Sequence, residues 1–191
     1  DYKTRRPKKQ AISHEKDRYR NSLQFASIDT TLLWWYSKII KSERGKSCMT
    51  VNVNELFAEL GSLPQVEAIA LGGSRATGRH DEKSDYDVYV YLTEAVDPAV
   101  RRTILEKYCG YMEIGNSFWE LEDDVTLKDG IDMDIIYRDM TGFADMVASV
   151  VLDCNACNGY TTCMWHNLIT SRIVLDKRGK LEKLQAQFSI P

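Results

Sequence analysis

Two apolar runs, Val66–Leu71 and Asp85–Leu92, flank a polar loop that opens on Gly72-Gly73-Ser74 and closes on Ser84. This stretch constrains the chain more than any other. Runs of this length, bounded by glycine and polar residues, predict strands. On a strand, alternate side chains share a face. Asp85, Asp87 and Tyr89 therefore lie on one side, and Tyr86, Val88, Val90 and Leu92 on the other. A sheet that buries the second set must present two carboxylates together on the first.

The loop has a chemistry of its own. Glycine lets a backbone approach a ligand closely, and the N–H groups of such a turn, with the Ser74 hydroxyl, suit phosphate oxygens. Arg75 and Lys83 are near enough in sequence to add positive charge. Asp85 and Asp87, with Cα atoms roughly 6–7 Å apart on a strand, are hard oxygen ligands of the kind Mg²⁺ takes. A second acidic strand follows in Ile131-Asp132-Met133-Asp134-Ile135-Ile136-Tyr137. Were it to neighbour the first, three or four carboxylates would converge. Two like charges at 4 Å repel by about 4 kcal/mol at an effective dielectric of 20, so bound cations would be needed to offset the gathering. Taken singly, each piece also reads blandly, as a turn or as the solvent face of an amphipathic strand.

The rest of the chain supplies a domain around these strands. Short helices are expected over Val53–Leu60, Asp97 to about Tyr111, Gly142–Asp153 and Leu181–Phe188. Further strands are expected over Phe118–Leu127, Ile131–Arg138 and Arg172–Asp176. Asp129-Gly130 is a strong hairpin dipeptide, and Lys177-Arg178-Gly179 reads as a turn. Strands and helices in this order imply an α+β fold with a mixed β-sheet and helices packed mainly on one face. Glu120, Glu122, Asp123 and Asp124 read as a solvated strand face, with assistance to Asp134 by one of them as the alternative.

Residues 1–48 read as a separate segment and 49–191 as the domain. Residues 1–20 carry eight Lys/Arg against three Asp/Glu, a basic end on a chain of net charge −3. Ile28, Leu32, Trp35 and Ile39 then form one helical stripe, which makes the segment a basic tail with a helical extension. With 43% apolar and 28% charged residues among 191, the chain has a soluble globular profile. No apolar run approaches the eighteen or so residues of a membrane helix. Five cysteines, an odd number, fit a reducing compartment, and a cytoplasmic location is expected.

Residues 72–90 resemble the signature of the DNA polymerase β-like nucleotidyltransferase superfamily. In that signature a Gly-Gly-Ser-x-Ala-x-Gly stretch is followed by Ser-Asp-x-Asp and an apolar strand, and every motif position is filled here. The stretch from about Met49 to Pro191 is similar to bacterial standalone nucleotidyltransferase-domain proteins, distant relatives of the lincosamide and kanamycin nucleotidyltransferases and of minimal nucleotidyltransferases paired with toxins. The resemblance implies the nucleotidyltransferase fold and transfer of a nucleoside monophosphate from an NTP, ATP first among them, to an acceptor of unknown identity. It implies nucleotide binding by Gly72, Gly73, Ser74, Arg75 and Ser84, with Gly73 and Ser74 on the β- and γ-phosphates. Two Mg²⁺ ions, for which Mn²⁺ substitutes, would be ligated by Asp85, Asp87 and Asp134. Asp134, the third carboxylate, would also help deprotonate the acceptor. Relatives of this type continue into a helical C-terminal domain that completes the acceptor site, and such a domain is not found before Pro191. A protein partner, through the N-terminal helix or in place of that domain, is a competing expectation, that of an antitoxin-like module with weak or no catalysis. A third reading is a nucleotide-binding remnant.

One weaker motif stands apart. Cys154-x-x-Cys157 and Cys163-x-x-His166 make a four-ligand set of zinc type, but the five-residue gap between the pairs is shorter than usual for such sites. The preferred reading is a turn among small residues. Trp119 and Trp165 read as core residues, with stacking on a base as the alternative.

Overall fold

The computed structural model describes residues 50–156 and 162–189. Its elements are α1 (Val53–Ser62), β1 (Val66–Leu71), α2 (Gly73–Ala76), β2 (Tyr86–Leu92), α3 (Pro98–Leu105) and β3 (Cys109–Asn116). They continue as β4 (Leu121–Leu127), β5 (Asp132–Asp139), α4 (Met140–Leu152), α5 (Cys163–Thr170), β6 (Arg172–Asp176) and α6 (Lys180–Phe188). The six strands form one mixed sheet in the order β3-β4-β5-β2-β1-β6. Only β2 and β5 pair in parallel; the other four pairings are antiparallel. The helical stripe expected at Ile28–Ile39, Cys48 and Cys157 lie outside the described residues.

The period-two pattern explains the layers. On one face, Ile69, Leu71, Val88, Val90, Met133, Ile135, Val125 and Leu127 are buried beneath α1 and α3, which contribute Leu56, Phe57, Leu60, Ile104 and Leu105. On the other, Ala68, Ala70, Tyr89 and Tyr91 are covered by α4, α5 and α6 through Phe143, Val147, Leu168, Leu181, Leu184 and Phe188. The mixed α+β sheet is as the pattern led us to expect, with one refinement. Helices cover both faces rather than mainly one, because both faces of the central strands are apolar and each must be removed from water. The small side chains of Ala68 and Ala70 leave room for the second layer.

Local chemistry sets the boundaries. Asp97 caps α3, its carboxylate accepting from the Ala99 N–H at 2.7 Å, with Pro98 at the first helical position. Asp139 caps α4 by accepting from the Gly142 N–H. Asp129-Gly130 makes the β4–β5 hairpin turn, Gly130 taking φ +90. The helix expected to run to about Tyr111 stops at Leu105, and Cys109–Asn116 is instead an edge strand on β4. The pairing groups offered by β4 outweigh the helical tendency of that stretch, a tertiary override of a weak local preference.

Glu67 shows how a charge is carried into this core. It lies on β1 with 1% of its surface exposed, and its carboxylate accepts from Arg178 Nε at 2.9 and 2.8 Å, and also from Arg178 Nη2. The Arg178 hydrogen bonds hold its pKa below the ordinary glutamate value, against the upward push of burial. The sign follows from linkage: a carboxyl with a depressed folded-state pKa stabilises above its unfolded pKa, about 4.3, and loses that contribution as pH falls through the folded value. Glu67→Gln is therefore expected to flatten the acid side of the stability profile. The gap in urea midpoint between wild type and variant should narrow from pH 7 to pH 3.5, and a gap that stayed constant would remove the assignment.

Candidate active site

The parallel pairing of β2 with β5 places Asp87 opposite Asp134. The antiparallel pairing of β4 with β5 places Asp124 opposite Asp134 on its other side. Residues opposite one another on neighbouring strands share a face, with strands about 4.8 Å apart. Asp124, Asp134 and Asp87 thus form a row across the sheet, each half-buried. Glu113 of β3, opposite Asp124, extends it to the edge. The row lies on the face of Tyr89 and Tyr91. Asp85 immediately precedes β2 and is exposed.

The Gly-Gly turn is built against this row. The Gly72 N–H donates to the Asp87 carbonyl at 2.8 Å, which ties the end of β1 to the strand that carries the carboxylate. A Cβ on Gly72 would meet the Tyr89 ring and hydroxyl at 2.7 Å, so the backbone packs where only glycine fits. Gly73 adopts φ +57, and a Cβ there would meet the Asp87 carboxylate itself. Gly72 is set by the approach of the backbone to Tyr89 and Gly73 by its approach to the Asp87 carboxylate, not by the turn alone. Ser74 follows within the single turn of α2, whose first amides have no helical partners.

Arg75 and Ser84 are placed differently. Arg75 donates from Nε to the Ser84 and Asp85 carbonyls, both at 3.1 Å, and from Nη2 to the Ser84 carbonyl at 2.6 Å. Its guanidinium lies 3.7 Å from the Tyr86 ring centroid. The Ser84 hydroxyl donates to Asp81 Oδ1 at 2.9 Å and accepts from the Asp81 N–H at 3.0 Å, inside a turn that also includes the Lys83 N–H. These contacts hold the Asp81 carboxyl below its ordinary pKa, the Ser84 hydroxyl being the largest cause.

The acidic run of β4 is not the solvated face the sequence reading expected. Asp123 is wholly buried on the opposite side of the sheet and accepts from Arg101 Nη1 and from the Gly115 N–H, each at 2.8 Å. Glu122 is buried at 8% exposure. Glu120 forms a two-bond pair with buried Arg138, at 2.8 Å for each contact. Of these acids, Asp124 is the one that lies opposite Asp134. Its Oδ2 accepts from Asn116 Nδ2 at 3.0 Å, and the same amide bonds Glu122 Oε1 at 3.1 Å. Asn116 escaped sequence reasoning because the strand that carries it was read partly as helix.

Cys154 and His166 are exposed and Cys163 is half-buried. Phe118 and Trp119 are exposed and in edge-to-face contact, whereas Trp165 donates from Nε1 to the Phe188 carbonyl at 2.7 Å. Among the described residues no three His, Cys, Asp or Glu close into a metal cage by themselves. Mg²⁺ does not demand one. It is held by one or two carboxylates, the remaining positions going to substrate phosphates and water, and the Asp87–Asp134 pair beside a glycine turn supplies donors of that kind.

Residues 53–154 match the family model of the nucleotidyltransferase domain, which spans just over half of the 191-residue chain. No curated protein matches the chain. Several solved structures are similar to it, three of which follow. A toxin–antitoxin with AMP-PNP shares 16% identity over 72% of this chain and 84% of that one, TM-score 0.38. A cytoplasmic RNA terminal U-transferase shares 17% over 62% and 35%, TM-score 0.38. A toxin–antitoxin MntA–HpeT mutant shares 14% over 72% and 84%, TM-score 0.35. Among the described residues no helix is long and apolar enough to cross a membrane.

Proposed function

Since the chain belongs to the nucleotidyltransferase domain family, whose activity is nucleotide transfer, we propose that it moves a nucleoside monophosphate from an NTP, ATP first, to an acceptor hydroxyl. The acceptor classes are a small molecule, an RNA end or a protein side chain. One observation carries this reading: the strand register that sets Asp87 beside Asp134, directly against the Gly72–Gly73 turn. We assign residues 49–191 to the transfer domain and residues 1–48 to an extension.

In this reading the β- and γ-phosphates lie against the amides of Gly73 and Ser74. Asp85, Asp87 and Asp134 would hold two Mg²⁺ ions, or Mn²⁺ in their place, and the chemistry these would supply is neutralisation of phosphate charge. Asp134 takes the proton of the acceptor hydroxyl. The acceptor oxygen forms a bond to the α-phosphorus, the bond from that phosphorus to the β-phosphate bridging oxygen breaks, and pyrophosphate leaves with the electron pair. The protein contributes position and charge rather than a covalent intermediate.

The test is incubation with Mg²⁺ and each α-labelled NTP in the presence of the three acceptor classes, with pyrophosphate release followed in parallel. Labelled acceptor with wild type and none with Asp87→Asn supports the reading. Absence of both label and pyrophosphate across all four NTPs, in protein whose fold is verified, overturns it.

The glycine turn carries its own prediction. Gly73→Ala forces a β-carbon into left-handed backbone, at about 1–2 kcal/mol, and displaces the Asp87 carboxylate. The expected result is a fall in kcat of about tenfold or more, since each 1.36 kcal/mol is a factor of ten, with a near-wild-type circular dichroism spectrum. Steady-state kinetics check it, and unchanged kcat would show that the approach of Gly73 to Asp87 has no catalytic weight.

A further inference from the structure

We infer that Arg75 is a positioning residue for Asp85: its guanidinium pins the two peptide planes on either side of the Asp85 Cα and so aims that carboxylate. The inference rests on the reading of the site as a transfer centre and names a residue that acts through another.

The argument begins with the geometry of the donors. The Ser84 carbonyl belongs to the peptide that enters Asp85, and the Asp85 carbonyl to the peptide that leaves it. Peptide units are planar, so the orientation of these two planes determines φ and ψ of Asp85 and with them the direction of its Cβ. Arg75 reaches both carbonyls from one side chain, by Nε to each at 3.1 Å and by Nη2 to Ser84 at 2.6 Å. The Tyr86 ring, 3.7 Å from the guanidinium carbon, fixes the plane of the fork. Asp85 needs this support more than its neighbours do. Asp87 and Asp134 lie inside a hydrogen-bonded ladder, while Asp85 is exposed and stands one residue before the first ladder residue, Tyr86.

The loop between α2 and β2 is organised toward the same end. The Arg79 N–H donates to the Ser74 carbonyl at 3.0 Å, the Thr77 hydroxyl to the same carbonyl at 3.2 Å, and the Asp81–Ser84 turn presents the Ser84 carbonyl to Arg75. Arg75 itself lies within α2, the turn that begins at Gly73. One side chain thus couples the phosphate-facing turn to the carboxylate at the mouth of β2. A lysine has neither the planar fork nor the stacking face, although it remains a competent phosphate binder as a point charge. That difference separates positioning from direct phosphate contact.

The test compares wild type with Arg75→Gln and Arg75→Lys by three readouts. The first is the rate of tryptic cleavage after Arg79 and Lys83 in metal-free protein. The second is Mn²⁺ affinity by water-proton relaxation without nucleotide. The third is the split between KM for NTP and kcat. Positioning predicts that both variants are cleaved about tenfold faster or more, as expected for loss of charge-assisted hydrogen bonds that close a loop. It also predicts that both bind Mn²⁺ more weakly by a similar factor and lose kcat, with Lys failing to rescue. Direct phosphate contact predicts unchanged cleavage, unchanged Mn²⁺ affinity and a raised KM that Lys largely restores, and that outcome overturns the inference. If wild type transfers no nucleotide, the functional reading fails by itself. The cleavage and Mn²⁺ readouts then still decide whether Arg75 aims Asp85.

Discussion

Asp134→Asn is expected to lower nucleotide transfer by about three orders of magnitude while leaving the melting temperature in metal-free buffer unchanged or raised. Asp134 is the central member of the row, with Asp87 opposite it on one side and Asp124 on the other. Asparagine keeps the shape, so the packing of β5 is preserved, with Met133 and Ile135 buried in alternation with it. What is lost is one negative charge and, in the proposed mechanism, the basic oxygen that would receive the acceptor's proton. Cation stabilisation of a phosphoryl-transfer transition state is worth several kcal/mol, and about 4 kcal/mol corresponds to roughly a thousandfold. The removal of one of several neighbouring like charges relieves repulsion in the absence of cation. Single-turnover transfer rates and thermal unfolding with and without Mg²⁺ check both halves. A variant that transfers at wild-type rate would remove Asp134 from the chemistry, and Asp124, its neighbour on β4, would be the next residue to test.

Asp123→Ala is expected to destabilise the protein by about 3–5 kcal/mol, as does the loss of one partner from a buried ion pair elsewhere. Arg101 and Asp123 expose 2% and 0% of their side chains and meet at 2.8 Å. Alanine leaves the Arg101 guanidinium buried against the Tyr137 ring, 4.6 Å from its centroid, with no compensating charge. It also deprives the Gly115 N–H of its acceptor, at the bulged edge where β3 joins β4. Domain stabilities run about 5–15 kcal/mol, so this single change removes a large share. Burial raises the Asp123 carboxyl pKa, against the pull of the Gly115 N–H and of Arg101. A raised folded-state pKa means that this group's contribution is greatest at low pH and declines as pH rises through the folded value. The deficit of Asp123→Ala should therefore persist into acid, unlike that of Glu67→Gln. Urea denaturation at two pH values measures both, and a double variant Arg101→Met, Asp123→Leu should recover most of the loss.

Much of this was legible before any coordinates. The apolar alternation at Val88, Val90 and Leu92 determined β2 and the face of Asp87. Val66–Leu71 and Arg172–Asp176 form strands with the expected bounds, and Asp129-Gly130 marked its hairpin. These are local properties, set by side-chain period and by the backbone freedom of a few residues, and a sequence states them directly. The glycines at 72 and 73 were legible as the turn that ends β1. Their closer reason, contact with Tyr89 and Asp87, was not, because it depends on residues some fifteen positions away.

What only the tertiary structure decided is which strands are neighbours. The sequence presents Asp87, Asp124 and Asp134 as acids on three separate segments; the β4-β5-β2 order and its register make them one row. The same pairing turned Cys109–Tyr111, expected as the end of a helix, into the start of an edge strand and sent Asp123 into the core to meet Arg101. It also ties Arg75 and Ser84 into hydrogen bonds within the loop that leads to Asp85. The physical reason is common to all four. Period and propensity act over a few residues, whereas hydrogen bonds between strands and the partners of buried charges are satisfied across tens of residues, and folding settles the two together.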